Sequence, residues 1–174
     1  MPALLCHRAS PLPPLSACSL SLAWREDGAL QLCYRLMGDI SALRLPPLSP
    51  APGFADGLWQ HSCCELFVAE GERGYREFNF APSGNWAAYA FSDYRVRRDW
   101  VPDAQPLIRV SHSPSAFELQ AELPAALLPP ARPLQLGATA VIETTAAELS
   151  YWALQHAGER PDFHRRESFV LSLP

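Results

Sequence analysis

Within the stretch LWQHSCCELF, Trp59, His61, Cys63 and Glu65 recur at every second position. On a strand, that spacing places four chemically useful side chains on one face. Several chemistries are open to them. His61, Cys63 and Glu65 are all metal-ligand types. Cys63 beside His61 has the composition of an activated thiol. Glu65 with a second acid such as Glu77 would make a carboxylate pair of the glycosidase kind. Trp59 with Glu65 suits a polyhydroxy ligand, because an indole covers apolar C–H faces and a carboxylate accepts from hydroxyls. Same-face neighbours on a strand stand about 7 Å apart. Three in a row therefore do not converge easily on an ion held by bonds of about 2 Å. No catalytic residue, metal ligand or cofactor is assigned.

A second concentration of functional side chains lies in SYWALQHAGERPDFHRR (150–166), with Tyr151, Trp152, His156, Asp162 and His164. If this segment lies over the same end of the fold as Trp59, its aromatic and imidazole groups complete a pocket. The bland alternative makes Trp152 core and the rest rim residues. Tyr94 and Arg95, in a long connection, are placed to cap the same site. A metal or haem site remains the alternative chemistry, with His61 or the 156–164 loop supplying ligands. Haem would have to rely on histidines or Met37, since the chain has no lysine.

All fourteen basic residues are arginine, which removes Schiff-base chemistry and lysine-dependent phosphate sites. A formal charge of -4 gives no overall attraction to nucleic acid or to an acidic membrane surface. Arg95, Arg97 and Arg98 form a local basic cluster, read as a solvated loop. Five cysteines without a CxxC pair fit reduced thiols in a cytoplasm better than a disulfide framework. Prolines at 2, 11, 13 and 14 interrupt the start of the chain, so no secretion signal is expected. No window approaches the length of about 18 apolar residues that a membrane helix needs.

The elements that must carry these residues are strands. Eighteen prolines leave few windows long enough for a helix, while short alternating runs are frequent. Strands are expected at 19–24, 29–36, 63–70, 75–81, 85–91, 107–113, 116–123, 134–144 and 167–173. Turn chemistry separates many of them, and 124–130 has room for at most one short helical turn. The fold class is all-β, a two-sheet antiparallel sandwich of immunoglobulin-like or jelly-roll-like type, with a closed barrel as the lesser option. The long connections 46–57 and 92–106 are where function tends to sit.

Pairing 63–70 with 75–81 sets Glu65 opposite Asn79 and Phe67 opposite Glu77. Cys64, Leu66 and Val68 then share the core face with Phe78 and Phe80. Trp59, His61, Cys63, Glu65, Glu77 and Asn79 share the other. Carried through PSGN, the same count adds Trp86, Ala88 and Ala90 to the polar face. A hollow with two carboxyls, an amide and flanking tryptophans follows, the alternative being an ordinary solvated sheet surface.

LWQHSCCELFVA, YREFNFAPSGNWAAYAFSDYR and ELSYWALQHAGERPDFHRRESFVL together resemble the bacterial DOMON-like ligand-binding domains, relatives of the family-nine carbohydrate-binding modules. The resemblance spans the chain from about Ser19 onward. It implies one DOMON-like domain over 1–174 whose concave sheet or loop end binds a sugar or, in other branches, haem. It supports Trp59 and Glu65 as sugar-binding positions, with Trp86 loosely placed, while His61 departs from the sugar-binding pattern. The expectation is a non-catalytic module for a small polar ligand, most plausibly a carbohydrate. A protein-interaction module is a further alternative.

Overall fold

The computed structural model describes Met1–Pro174. Twelve strands follow in chain order: β1 Ala3–Cys6, β2 Leu15–Trp24, β3 Leu30–Gly38, β4 Cys63–Glu70, β5 Gly74–Phe80, β6 Trp86–Asp93, β7 Val96–Arg98, β8 Leu107–Ser113, β9 Ala116–Leu123, β10 Leu134–Glu143, β11 Leu149–Ala153 and β12 Leu171–Leu173. All pairings between strands are antiparallel. The smaller sheet runs β1-β2-β3-β9-β8 and the larger runs β7-β6-β5-β4-β10-β11-β1, with β12 also on β10.

β1 belongs to both sheets. Ala3 and Leu4 pair with β2, whereas Leu5 and Cys6 pair with β11, so a four-residue strand stitches one edge of the sandwich closed. The helical turn expected within 124–130 is Ala125–Leu127. Three other single 3-10 turns occur, at Ile40–Ala42, Leu58–Gln60 and Arg166–Ser168. No helix is long and apolar enough to cross a membrane.

Alternation builds the core. Leu30, Leu32, Tyr34 and Leu36 of β3 are buried at every second position, and they meet Cys64, Leu66, Val68, Phe78 and Phe80 from the larger sheet. The register expected for β4 and β5 is present, with Glu65 opposite Asn79 and Phe67 opposite Glu77. Tyr34 crosses the core and donates to the Glu65 carbonyl at 2.5 Å. That bond ties the smaller sheet to the middle of β4, beneath the residue of greatest functional interest. A buried hydroxyl without such a partner would be costly.

The outer face of the larger sheet has an apolar cluster of its own, Phe67, Tyr75, Ala87, Tyr89, Phe91 and Phe169. Phe169 comes from the C-terminal segment and docks over Gly137, where an added Cβ would meet its Cδ1 at 2.7 Å. Only a residue without a side chain fits there. Segment 167–173 is thus a strand only at its end, because its first half caps this face instead of pairing.

Candidate functional site

A cavity of about 500 Å³ opens on the outer face of the larger sheet, a size typical of small-molecule sites. Glu65 and Glu77 form its base, and Tyr89, Phe91, Val141 and Tyr151 extend the floor. These residues come from five strands, and sheet parity turns each of them to the same side.

One wall is delivered by the Pro-rich connection. Trp86 N donates to the Gly53 carbonyl, and Ala55 N donates to the Trp86 carbonyl, so this chain runs along the free edge at the start of β6. That placement brings Asp56 to the Tyr89 hydroxyl, which donates to Oδ1. The turn that follows sets Trp59 and Gln60 at the mouth. Trp59 is 51% exposed, a large apolar surface left open to a ligand.

The opposite wall is 161–164. Asp162 accepts from the Tyr94 hydroxyl at 2.7 Å and from Arg95 Nη2 at 3.0 Å. Phe163 leans on Tyr151 with ring centroids 6.1 Å apart. The Tyr75 oxygen accepts from Arg95 N at 3.1 Å and lies 2.8 Å from His164 Nδ1. The other ring nitrogen of His164, Nε2, faces Glu77 Oε2 at 3.9 Å. Burial, then the charge of Arg95, draws the His164 pKa down to about 4. The imidazole is neutral at neutral pH.

The two acids of the base are nearly inaccessible, Glu65 at 3% and Glu77 at 4% exposure. Glu65 Oε2 accepts from Thr139 Oγ1 at 3.1 Å, and Glu77 Oε1 accepts from Asn79 Nδ2 at 2.7 Å. Burial, followed by the nearby Glu77 charge, raises the Glu65 pKa well above the carboxylate range. Burial also pushes Glu77 up to about 7, against the pull of Asn79, Arg97 and Arg95. Burial thus favours the protonated form of Glu65, beside a Glu77 poised between states. At the rim, the Arg97 guanidinium lies 3.8 Å over the Tyr89 ring.

Seven of the expected site residues line the cavity: Trp59, Glu65, Glu77, Arg95, Tyr151, Asp162 and His164. Six do not. Trp86 is 8% exposed and packs between the sheets, because Phe80 lies opposite it across a five-residue turn that Gly84 closes at φ 83°. Residues directly opposite share a face, so Trp86, Ala88 and Ala90 face inward and Ala87, Tyr89 and Phe91 face the cavity, the reverse of the expected count. Trp152 also belongs to the core and donates to Ser150 Oγ at 3.1 Å. Asn79 is fully buried behind Glu77 and orients it.

His61 is not on the strand face at all. The 3-10 turn at Leu58–Gln60 breaks the two-residue period before β4, and the imidazole reaches Glu143 at 2.8 Å in a neighbouring recess. His156 faces the Leu5 carbonyl at 2.8 Å and stands edge-on to His7. Tyr94 braces Asp162 from outside the lining. The histidines are thus dispersed, and no group of three His, Cys, Asp or Glu side chains is placed to hold an ion. Cys63 is buried with its thiol toward Asn79 Oδ1 at 3.7 Å, away from His61, and burial holds its pKa well above the ordinary thiol value. That geometry does not activate a nucleophile.

Sequence reasoning missed Asp56, Gln60, Tyr89, Phe91, Arg97 and Phe163 as lining residues. Tyr89 and Phe91 were recoverable from the correct turn length. Arg97 stood in the basic cluster, where nothing local separates a solvated arginine from one stacked on a ring.

The fold and the position of the cavity define a β-sandwich with a ligand-sized recess on one sheet face. No protein-family profile and no curated protein matches the chain in sequence. In structure, the chain is similar to a Bacteroides uniformis protein attributed to the carbohydrate-binding class, with a TM-score of 0.67 and 19% identity over 96% of this chain and 82% of that one. It is also similar to a family-nine carbohydrate-binding module from Caldicellulosiruptor kristjanssonii in complex with glucose. There the TM-score is 0.58 and the identity 11%, over 98% of this chain and 83% of the module. At such identities the likeness establishes a shared β-sandwich fold, while function has to be argued from the site.

Proposed function

We propose that Met1–Pro174 acts as one DOMON-like, non-catalytic module that takes a small polar ligand, a carbohydrate fitting best, in the cavity over Glu65 and Glu77. The observation that carries this reading is the union, in one recess, of two buried carboxyls with an aromatic floor and an exposed indole at the mouth. Hydroxyls require paired donors and acceptors, which the Glu65 and Glu77 carboxyls supply, while Trp59, Tyr89 and Tyr151 cover C–H faces. The glucose complex of a protein with the same fold supports the class of ligand. A non-catalytic role is supported by the buried, unactivated Cys63. Five unbridged cysteines support a reducing compartment such as the cytoplasm.

Isothermal calorimetry with a panel of mono- and disaccharides tests the proposal, the expected outcome being saturable binding that Trp59→Ala weakens. No binding to any sugar, together with a different metabolite retained through purification, would sink the carbohydrate reading. Turnover of an aryl glycoside by the wild type, abolished in Glu65→Gln, would instead make the carboxyl pair catalytic.

A further inference from the structure

Glu65 and Glu77 occupy diagonal positions of the β4–β5 ladder, and both line the cavity although nearly buried. Each has one oxygen occupied, by Thr139 and by Asn79. Glu65 Oε1 has no protein donor, and it is not a sealed orphan, because Arg76 Nε is the one buried side-chain polar atom without a partner. It faces the cavity. Glu77 Oε2 lies 3.9 Å from His164 Nε2, beyond hydrogen-bond reach, and that imidazole is neutral.

The arginines of the lining do not fill this gap. Four acids, Asp56, Glu65, Glu77 and Asp162, stand against Arg95 and Arg97. Arg95 is engaged by Asp162 at 3.0 Å and by the Tyr94 hydroxyl. Arg97 lies on the Tyr89 ring, and the acid it pairs with is Asp56, at 3.8 Å. Both guanidiniums are thus committed at the rim, and no cation of the chain forms a salt bridge with Glu65, while Glu77 has only the distant imidazole. Water-poor carboxyls without a cation favour the neutral form, and an incoming cation would reverse that. Aromatic faces beside the acids add to the attraction.

We infer that the ligand of this cavity carries a protonated amine, as an amino sugar does, seated on Glu65 and Glu77 with its ring toward the Trp59 and Tyr151 side. This rests on the carbohydrate reading above. An ammonium supplies up to three donors to the two free carboxyl oxygens, whereas a hydroxyl in the same place supplies one.

Calorimetry of the wild-type protein with glucosamine, glucose, N-acetylglucosamine and cyclohexylamine, at about pH 6 in buffers of different ionisation enthalpy, decides the matter. Glucosamine should bind about tenfold or more tightly than either neutral sugar, as a charge-assisted bond predicts. Its binding should also release protons to the buffer, because the ammonium drives Glu77 to its anion, while glucose releases none. In Glu77→Gln the ratio of glucosamine to glucose affinity should shrink to about twofold or less, whatever the change in affinity for glucose itself. Equal affinity for the three sugars overturns the inference and leaves the carbohydrate reading intact. Binding of cyclohexylamine with none of the sugars keeps the ammonium seat and overturns the carbohydrate reading. Silence from all four ligands overturns both. The wild-type comparison stands even if the variant fails to fold.

Discussion

Replacing Glu77 by glutamine should stabilise the protein at alkaline pH and do little at acid pH. Glutamine keeps the oxygen that accepts from Asn79 Nδ2 and cannot ionise. In the wild type the carboxyl rises from its ordinary 4.5 to about 7, chiefly through burial. A folded-state pKa above the unfolded one means that the folded chain binds the proton more tightly. The stabilisation is full below the unfolded value and is lost as pH rises through the folded value. Moving a carboxyl that far makes its ionisation in the folded chain costlier by about 3 kcal/mol. Between about pH 5 and about pH 8, about 2 to 3 kcal/mol of wild-type stability should therefore disappear that Glu77→Gln retains. His164 works in the opposite sense: its depressed pKa costs stability as pH falls from 6.5 toward about 4. It is common to both proteins and largely cancels in their difference. Urea unfolding of both proteins at the two pH values gives that difference directly. A wild-type-to-variant gap that stays constant within about 0.5 kcal/mol across the range would refute the assignment of a buried, proton-holding Glu77.

The two tryptophans should separate stability from binding: Trp86→Ala, in the core, should cost about 3 to 5 kcal/mol in chemical denaturation. Trp59→Ala, half exposed, should leave stability within about 0.5 kcal/mol yet weaken sugar binding about tenfold. Gly137→Ala forces Phe169 from its seat and should destabilise by about 1 to 3 kcal/mol, with lower ligand affinity because 161–164 shifts with it; unchanged denaturation would contradict the docking of Phe169. Tyr75→Phe removes the hydroxyl that serves Arg95 N and His164 Nδ1 and should cost about 1 to 3 kcal/mol, checked by thermal unfolding and by a changed His164 resonance. Cys63 should resist alkylation in the folded protein and react only on unfolding, since it is buried with a raised pKa; prompt labelling of Cys63 by mass spectrometry would revive the thiol reading.

Period-two alternation and proline spacing were enough to predict the sandwich, because they are local properties of an all-β chain. They placed Cys64, Leu66 and Phe78 inside and Glu65 and Glu77 outside, and the β4–β5 register followed from the short turn between them. Three short strands, β1, β7 and β11, escaped notice because three to five residues carry too little periodicity to stand out.

What the amino-acid order determined by itself is the content of the cavity base: two carboxyls that alternation sends to the side opposite the core. What only the tertiary structure decided is the company they keep. The turn before β6 fixed whether Trp86 or Tyr89 faced them, since one residue of turn length reverses every side chain that follows. The 3-10 turn at Leu58–Gln60 removed His61 from their face and left Trp59 at the mouth. Long-range contacts of Asp162 with Tyr94 and Arg95, and of His164 with Tyr75, closed the opposite wall. None of these follows from local propensity, because each depends on a contact between segments that are distant in the chain or on a turn whose length the flanking strands do not encode.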